Sequence, residues 1–135
     1  MTSGIMNGTL IGLYVNGSVK VANAVSNDMD ITQATRETTN KDSAGWKTAL
    51  GSTKSFSMGI EGMYSENATY SASDLITLLI AGTPITAYMT SAVTGDHKWS
   101  GSVNITNIKV TAPFEGNVTF TATLEGTGAL TPTTI

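Results

Sequence analysis

Residues 54–64, KSFSMGIEGMY, decide how this chain is read. Phe56, Met58, Ile60 and Tyr64 fall on one side of an extended backbone, and Ser55, Ser57, Gly59 and Glu61 on the other. A period of two with one apolar side is the pattern of a strand that buries one face. The opposite side holds small hydroxyls, a glycine and one carboxylate, and few of the long charged side chains that usually cover a solvated sheet.

Working toward the N-terminus, residues 38–53 form a long connection rich in Thr, Ser, Gly and Lys, with Trp46 in its middle. A Trp there either folds back onto its own domain or anchors a neighbour, because aromatic side chains are enriched where interfaces exclude water. Before it, NDMDITQATRE (27–37) alternates, with Met29 and Ile31 on one side and Asp28, Asp30, Thr32 and Arg36 on the other. In TLIGLYVNGSVKVANAV (9–25), two apolar-rich runs flank Asn16-Gly17, a pair suited to a type I′ hairpin turn because both turn positions need φ > 0.

Working toward the C-terminus, SASDLITLLIAG (71–82) changes to a helical period, with Leu75, Leu78 and Leu79 on one stripe. Ser73 is its expected cap, Asp74 suits the positive helix start, and Gly82 ends it. Pro84 opens the strand PITAYMTSA (84–92), and VTGDH (93–97) reads as a turn. KWSGSVNITNIKVTA (98–112) and FEGNVTFTATLEG (114–126) are two long strands joined near Pro113, and TGALTPTTI (127–135) reads as a flexible tail. One domain over 1–135, mainly β, with six or seven strands as a small sandwich or barrel and one flanking helix, is the expected fold.

Composition narrows the function. The chain has 135 residues, 13% of them charged, a net charge of −3 and no cysteine. Scattered Lys and Arg give no footprint for a nucleic-acid reader. The longest apolar run, 75–81, is far short of a membrane span, so no membrane insertion is expected. The opening MTSGIMNGTL lacks a basic region followed by an apolar stretch, so no secretory signal is expected either. His97 is the single histidine and sits in a turn, which leaves neither a catalytic base beside a nucleophile nor a two-histidine metal site. Asp28 and Asp30 share one strand face but fall short of the six to eight oxygens that calcium takes. No catalytic residue, cofactor or metal is expected.

The stretch from 38 to 62, TTNKDSAGWKTALGSTKSFSMGIEG, resembles a segment of the major tail tube proteins of long-tailed bacteriophages. In that family an acidic, Thr-bearing strand leads into a loop of the form S-x-G-W-x-x-x-L, then a strand of the form S-x-S-x-x-x-x-G. Ser43, Gly45, Trp46 and Leu50, then Ser55, Ser57 and Gly62, fill those positions here. The order of hairpin, acidic strand, mid-chain helix and two long C-terminal strands is also similar.

The resemblance implies hexameric rings in which each subunit gives four strands to a continuous inner barrel. Rings stack into a tube that carries DNA from capsid to host during genome ejection. It implies an inter-subunit loop at 38–53, with Lys41, Asp42, Ser43, Gly45, Trp46, Lys47 and Leu50. The side facing the lumen would be Asp28, Asp30, Thr32, Ser55, Ser57, Glu61, Ser102, Asn104, Thr121, Thr123 and Glu125, with Arg36 near one end. The implied partners are copies of itself, a tape measure protein, a tail terminator and baseplate or tail-tip proteins. The implied place is the virion tail, assembled in the host bacterial cytoplasm. Gene-transfer agents, tailocins and contractile injection systems use the same block. The rival is a non-viral β-sandwich adhesin or carbohydrate-binding module, which predicts a secretion signal and an exposed aromatic platform. A small enzyme, the third reading, lacks the groups.

Overall fold

The alternation at 54–64 becomes the centre of a strand running from Ala49 to Met63, β4 in a computed structural model that describes residues 3–15, 19–21, 24–66, 72–91 and 93–135. The other strands are β1 (Gly12–Val15), β2 (Val19–Lys20), β3 (Ala24–Glu37), β5 (Ile85–Thr90), β6 (His97–Thr111) and β7 (Thr119–Thr134), with one helix, α1 (Ala72–Ala81). All seven strands belong to one antiparallel sheet in the order β2-β1-β5-β6-β7-β4-β3.

The buried apolar side chains form one cluster drawn from both ends of the sheet: Leu13 and Val15, Phe56 to Ile60, Ile85 to Met89, Val103 and Ile105, and Phe120 to Leu124. Ala72 and Leu75 of α1 join it. Seven strands about 4.8 Å apart span about 29 Å, whereas the ten residues of α1 extend about 15 Å. The helix cannot cover such a face, so the sheet curls and buries its two halves against each other, with α1 on the flank. Mainly β with one flanking helix is as expected; the expected small sandwich or barrel is built from one antiparallel sheet.

Phe56 shows how closely the core side of β4, β7 and β6 is packed. It is 4% exposed and lies across Gly126 of β7 and Gly101 of β6. A Cβ added at Gly101 would stand 2.6 Å from its ring. Only a residue without a side chain leaves room for the ring there.

Several boundaries differ from the expectation. Residues Gly8–Leu10 form a 3-10 turn, capped by the Asn7 side chain accepting from the Thr9 N–H at 3.1 Å, so the first strand starts only at Gly12. The Asn16-Gly17 turn lies outside the described residues; the strands flanking it do pair, Tyr14 opposite Lys20 and Val15 opposite Val19. Ser73 is not the cap, because the helix begins at Ala72; its carbonyl instead accepts from the Thr77 hydroxyl at 3.0 Å. The Gly82 N–H closes the helix on the carbonyls of Leu78 and Leu79. His97 is the first residue of β6 and not part of the turn. Residues 112–118 form the β6–β7 turn, so the last strand starts at Thr119 and not at 114.

The segments 38–53 and 127–135 need larger corrections. Strand β4 begins at Ala49, which shortens the connection to 38–48. Residues 127–134, expected as a flexible tail, continue β7 and pair with the start of β6, Pro132 opposite Trp99 and Thr134 opposite His97. A register shift at 127–131, with Gly128 at φ +90°, carries the strand past a bend that side chains disfavour. The Ile135 N–H then donates to the Asp96 carbonyl at 2.9 Å.

Candidate functional site

The strands β6, β7, β4 and β3 lie side by side, and their outward face is laid out in polar rows. Asp30 is opposite Ser57, Ser57 opposite Glu125, and Glu125 opposite Asn104. The next row is Asp28, Gly59, Thr123 and Asn107, and the one after it Ser26, Glu61, Thr121 and Lys109. At the other end Thr32 meets Ser55, hydroxyl to hydroxyl at 2.8 Å, and Ser102 pairs with Thr127. The Asp28 carboxylate lies across Gly59, filling the space where a side chain would stand. A shallow depression of about 210 Å³ opens among Asp30, Thr32, Ser55, Ser57, Thr123 and Glu125. Eleven of the twelve residues assigned from the resemblance to the lumen thus share one face of four adjacent strands.

The twelfth, Arg36, lies further out. It pairs with Leu50 beyond the irregularity between Gln33 and Thr35, past the point where β7 ceases to accompany β4. Two residues of this face escape simple alternation. A bulge between Ile105 and Asn107 turns Asn107 and Lys109 onto the polar side, and the Thr106 hydroxyl donates to the Thr123 carbonyl at 3.3 Å. The sequence signal for it is the spacing of apolar residues in VNITNIKV, where Ile105 is followed by Ile108 three positions later, then Val110. Lys109 therefore adds a cation to rows otherwise carrying Asp28, Asp30, Glu61 and Glu125.

Beyond Thr32 and Ser55 the β3–β4 pair continues alone as an arm, from Gln33 opposite Lys54 to Glu37 opposite Ala49. Its tip is well ordered by short-range bonds. Thr38 donates through its N–H to the Thr48 carbonyl at 2.9 Å and through its hydroxyl to Thr48 Oγ1 at 3.0 Å. Asn40 and Ser43 cap the 3-10 turn Lys41–Ser43 reciprocally, and Ala44 and Gly45 follow in the left-handed region. This holds Trp46, 77% exposed, away from its own core, with Leu50 also exposed. Lys41, Asp42 and Lys47 are exposed around it.

The outer side of β1, β5 and β6 has another character. Tyr14 and Tyr88 stack with ring centroids 5.1 Å apart, and the Lys98 ammonium stands 4.7 Å from the Tyr88 ring centre. Burial, and then Tyr14, push the Tyr88 phenol above its ordinary pKa. On the core side of the same end of β6, the His97 ring lies on Trp99, at 6.0 Å between centroids. Among the described residues there is no group of three or more His, Cys, Asp or Glu that could hold a metal ion, and no helix long and apolar enough to cross a membrane.

Each flank of the four-stranded patch has an edge that lacks a described strand partner, although α1 approaches β6 and the Asn27 side chain donates to the Ile11 carbonyl at 3.1 Å. No described strand pairs with the outer edge of β3. On the other side β5 pairs with β6 only from Lys98 to Val103, so residues 104–111 have β7 as their one described strand neighbour.

No curated protein sequence matches the chain. Among solved structures it is similar to a chain of the virion of a native gene transfer agent particle, at 17% identity and TM-score 0.83, covering 96% of this chain and 99% of that one. A chain in the tail of an empty gene transfer agent particle, refined with C6 symmetry, gives the same figures of 17%, 0.83, 96% and 99%. The SPP1 tail tube subunit is 10% identical with TM-score 0.75, covering 97% of this chain and 80% of that one. These likenesses establish the fold, and a family model described as phage tail tube protein matches residues 16–132. With nearly its whole length matched, the chain belongs to the phage tail tube protein family.

Proposed function

We propose that this chain is a tube-building structural protein that closes into hexameric rings, stacks them, and conducts double-stranded DNA through the bore. The observation that carries the proposal is the pair of edges, on either side of β6-β7-β4-β3, that lack a described strand partner. In this patch β6 and β4 run one way and β7 and β3 the other. Because the number of strands is even, a copy rotated about the ring axis brings its β6 antiparallel to the first copy's β3. The ladder then continues without a break, and closure removes both edges, which would otherwise invite uncontrolled pairing. Six copies would close 24 strands, the count taken from the sixfold tail to which the fold is similar.

In such a ring the polar rows face the bore. DNA carries about one negative charge per 1.7 Å and is held by Lys and Arg contacts that release counterions. Rows of Ser, Thr, Asn and carboxylates with one Lys offer little hold, so DNA slides. The arm, with Trp46 and Leu50 exposed, reaches a neighbouring subunit. A tape measure protein would occupy the bore before DNA does, with a terminator and tail-tip proteins at the ends. The tube would form part of the virion tail, built in the host cytoplasm. The role is mechanical and needs no catalysis.

The test is negative-stain microscopy of the purified chain over a range of concentrations. Rings and tubes of sixfold symmetry are the expected result, and monomers throughout would overturn the proposal. For the bore, Asp28→Lys with Asp30→Lys should leave tubes intact and slow DNA delivery several-fold. Unchanged delivery kinetics would remove these residues from the bore.

A further inference from the structure

We propose that the β6–β7 turn of a second copy inserts Phe114 into an apolar cavity at the arm end of the sheet, and that this knob and socket joins one ring to the next. The inference rests on the tube reading above. The cavity measures about 690 Å³ and its lining includes Ile31, Lys54, Phe56, Trp99, Leu130 and Pro132. That size falls within the range of roughly 300–1,000 Å³ typical of occupied pockets. Ile31 points to the core side, opposite Phe56, yet is 55% exposed, so the core is left uncovered there.

The knob is Phe114, which is 93% exposed between Pro113 and Glu115. Its turn is a fixed one. The Gly116 N–H donates to the Pro113 carbonyl at 3.3 Å, and Glu115 holds φ +57°, a left-handed backbone that a non-glycine residue adopts only when its surroundings impose it. A large aromatic held in that way outside the core is an anchor without a partner in its own chain.

Position and charge pick out this occupant. The turn follows the pair Thr111–Thr119, while the cavity lies where Trp99 meets Pro132, at the far end of the same two strands. Twelve residues of strand separate Trp99 from Thr111, about 40 Å of rise. Barrel strands tilt by roughly 35–45°, so the two ends lie on opposite faces of a ring. Head-to-tail stacking therefore brings knob to socket in every successive pair. Glu115 arrives beside Lys54, an opposite charge. Trp46, the other largely exposed aromatic among the described residues, leaves from the same end as the cavity and carries Lys47 beside it, a like charge for Lys54.

The chain has no cysteine, so every disulfide must come from introduced thiols, and the two single-cysteine variants reveal any bond between like positions. Phe114→Cys with Leu130→Cys, assembled and then oxidised, should give a ladder of disulfide-linked multimers on a non-reducing gel. The two positions stand near opposite ends of the β6–β7 pair, so a bond between them must join two copies. Phe114→Ala should keep the wild-type unfolding midpoint and cut tube mass at least tenfold while rings persist. Lys54→Glu should shorten tubes, and Glu115→Lys added to it should lengthen them again. Tubes that form normally in Phe114→Ala and give no ladder in the thiol pair would overturn the socket and leave the tube reading standing. A ladder from Trp46→Cys with Leu130→Cys instead would assign the cavity to the arm of a lateral neighbour and also overturn it. Wild-type protein that stays monomeric would remove both readings.

Discussion

Strand β4 has two halves that share one pairing partner and differ in almost everything else. From Phe56 to Gly62 every second residue is buried against the core; from Ala49 to Ser55 every residue is exposed. Backbone pairing with β3 runs through both. The inner half is held by apolar burial and the outer half by the ladder itself, with hydroxyl bonds such as Thr32–Ser55 and Thr38–Thr48. A two-stranded ribbon without a packed face is marginal in water. Its length adds little to the core; in the proposed tube it serves contact with a neighbouring subunit.

The largest expected effect breaks the inner half. Phe56→Ala removes a ring that spans two glycines and should cost about 3–5 kcal/mol, a large part of the roughly 5–15 kcal/mol that holds a domain. Urea unfolding of the unassembled chain measures it. A loss below about 1 kcal/mol would mean that the glycine-floored seat collapses around the gap. The converse change, Gly126→Ala, pushes a methyl into the same ring and should cost about 1–3 kcal/mol by overpacking. If it proved neutral, the ring would have moved into the adjoining cavity that it helps to line.

The contrast between the halves also sets what could be read beforehand. KSFSMGIEGMY declares a strand because one side of it is apolar, whereas ALGST at 49–53 has almost nothing to bury and reads as loop. Its strand state comes from pairing with β3, which no local pattern encodes. The end of β7 hid for a related reason. Pro132 argues against a central strand, but β4 accompanies β7 only as far as Glu125, so Pro132 sits where one side of the strand is unpaired and a missing N–H does no harm. The polar face was legible because hydroxyls and carboxylates alternate with apolar residues in four separate segments. Lys109 was not, because one bulged residue reversed the alternation after Ile105. The seat of Trp46 stayed open in the sequence, since an exposed and a buried Trp are the same letter; the capped turn at 40–45 places it outside the core.

A smaller effect sharpens the outer half. Trp46→Ala should leave the unassembled chain within about 0.5 kcal/mol of wild type, as exposed substitutions do. The concentration needed for assembly should rise about tenfold, equal to about 1.4 kcal/mol of association. Sedimentation across a dilution series reads the second quantity and urea unfolding the first. A large loss of monomer stability would return Trp46 to its own core and end the distinction between the halves.

The smallest effect lies at the boundary between them. Thr32→Val keeps a β-branched side chain and removes the hydroxyl that meets Ser55 at 2.8 Å. Both residues are exposed, so water replaces the lost bond and the expected cost is at most about 0.5 kcal/mol, the low end for such bonds. The same change leaves every charge on the polar face in place. DNA delivery should therefore match wild type, while Asp28→Lys with Asp30→Lys slows it. Equal slowing by the valine would show that the hydroxyl lining also governs passage, and that charge alone does not, because only a neutral group was altered.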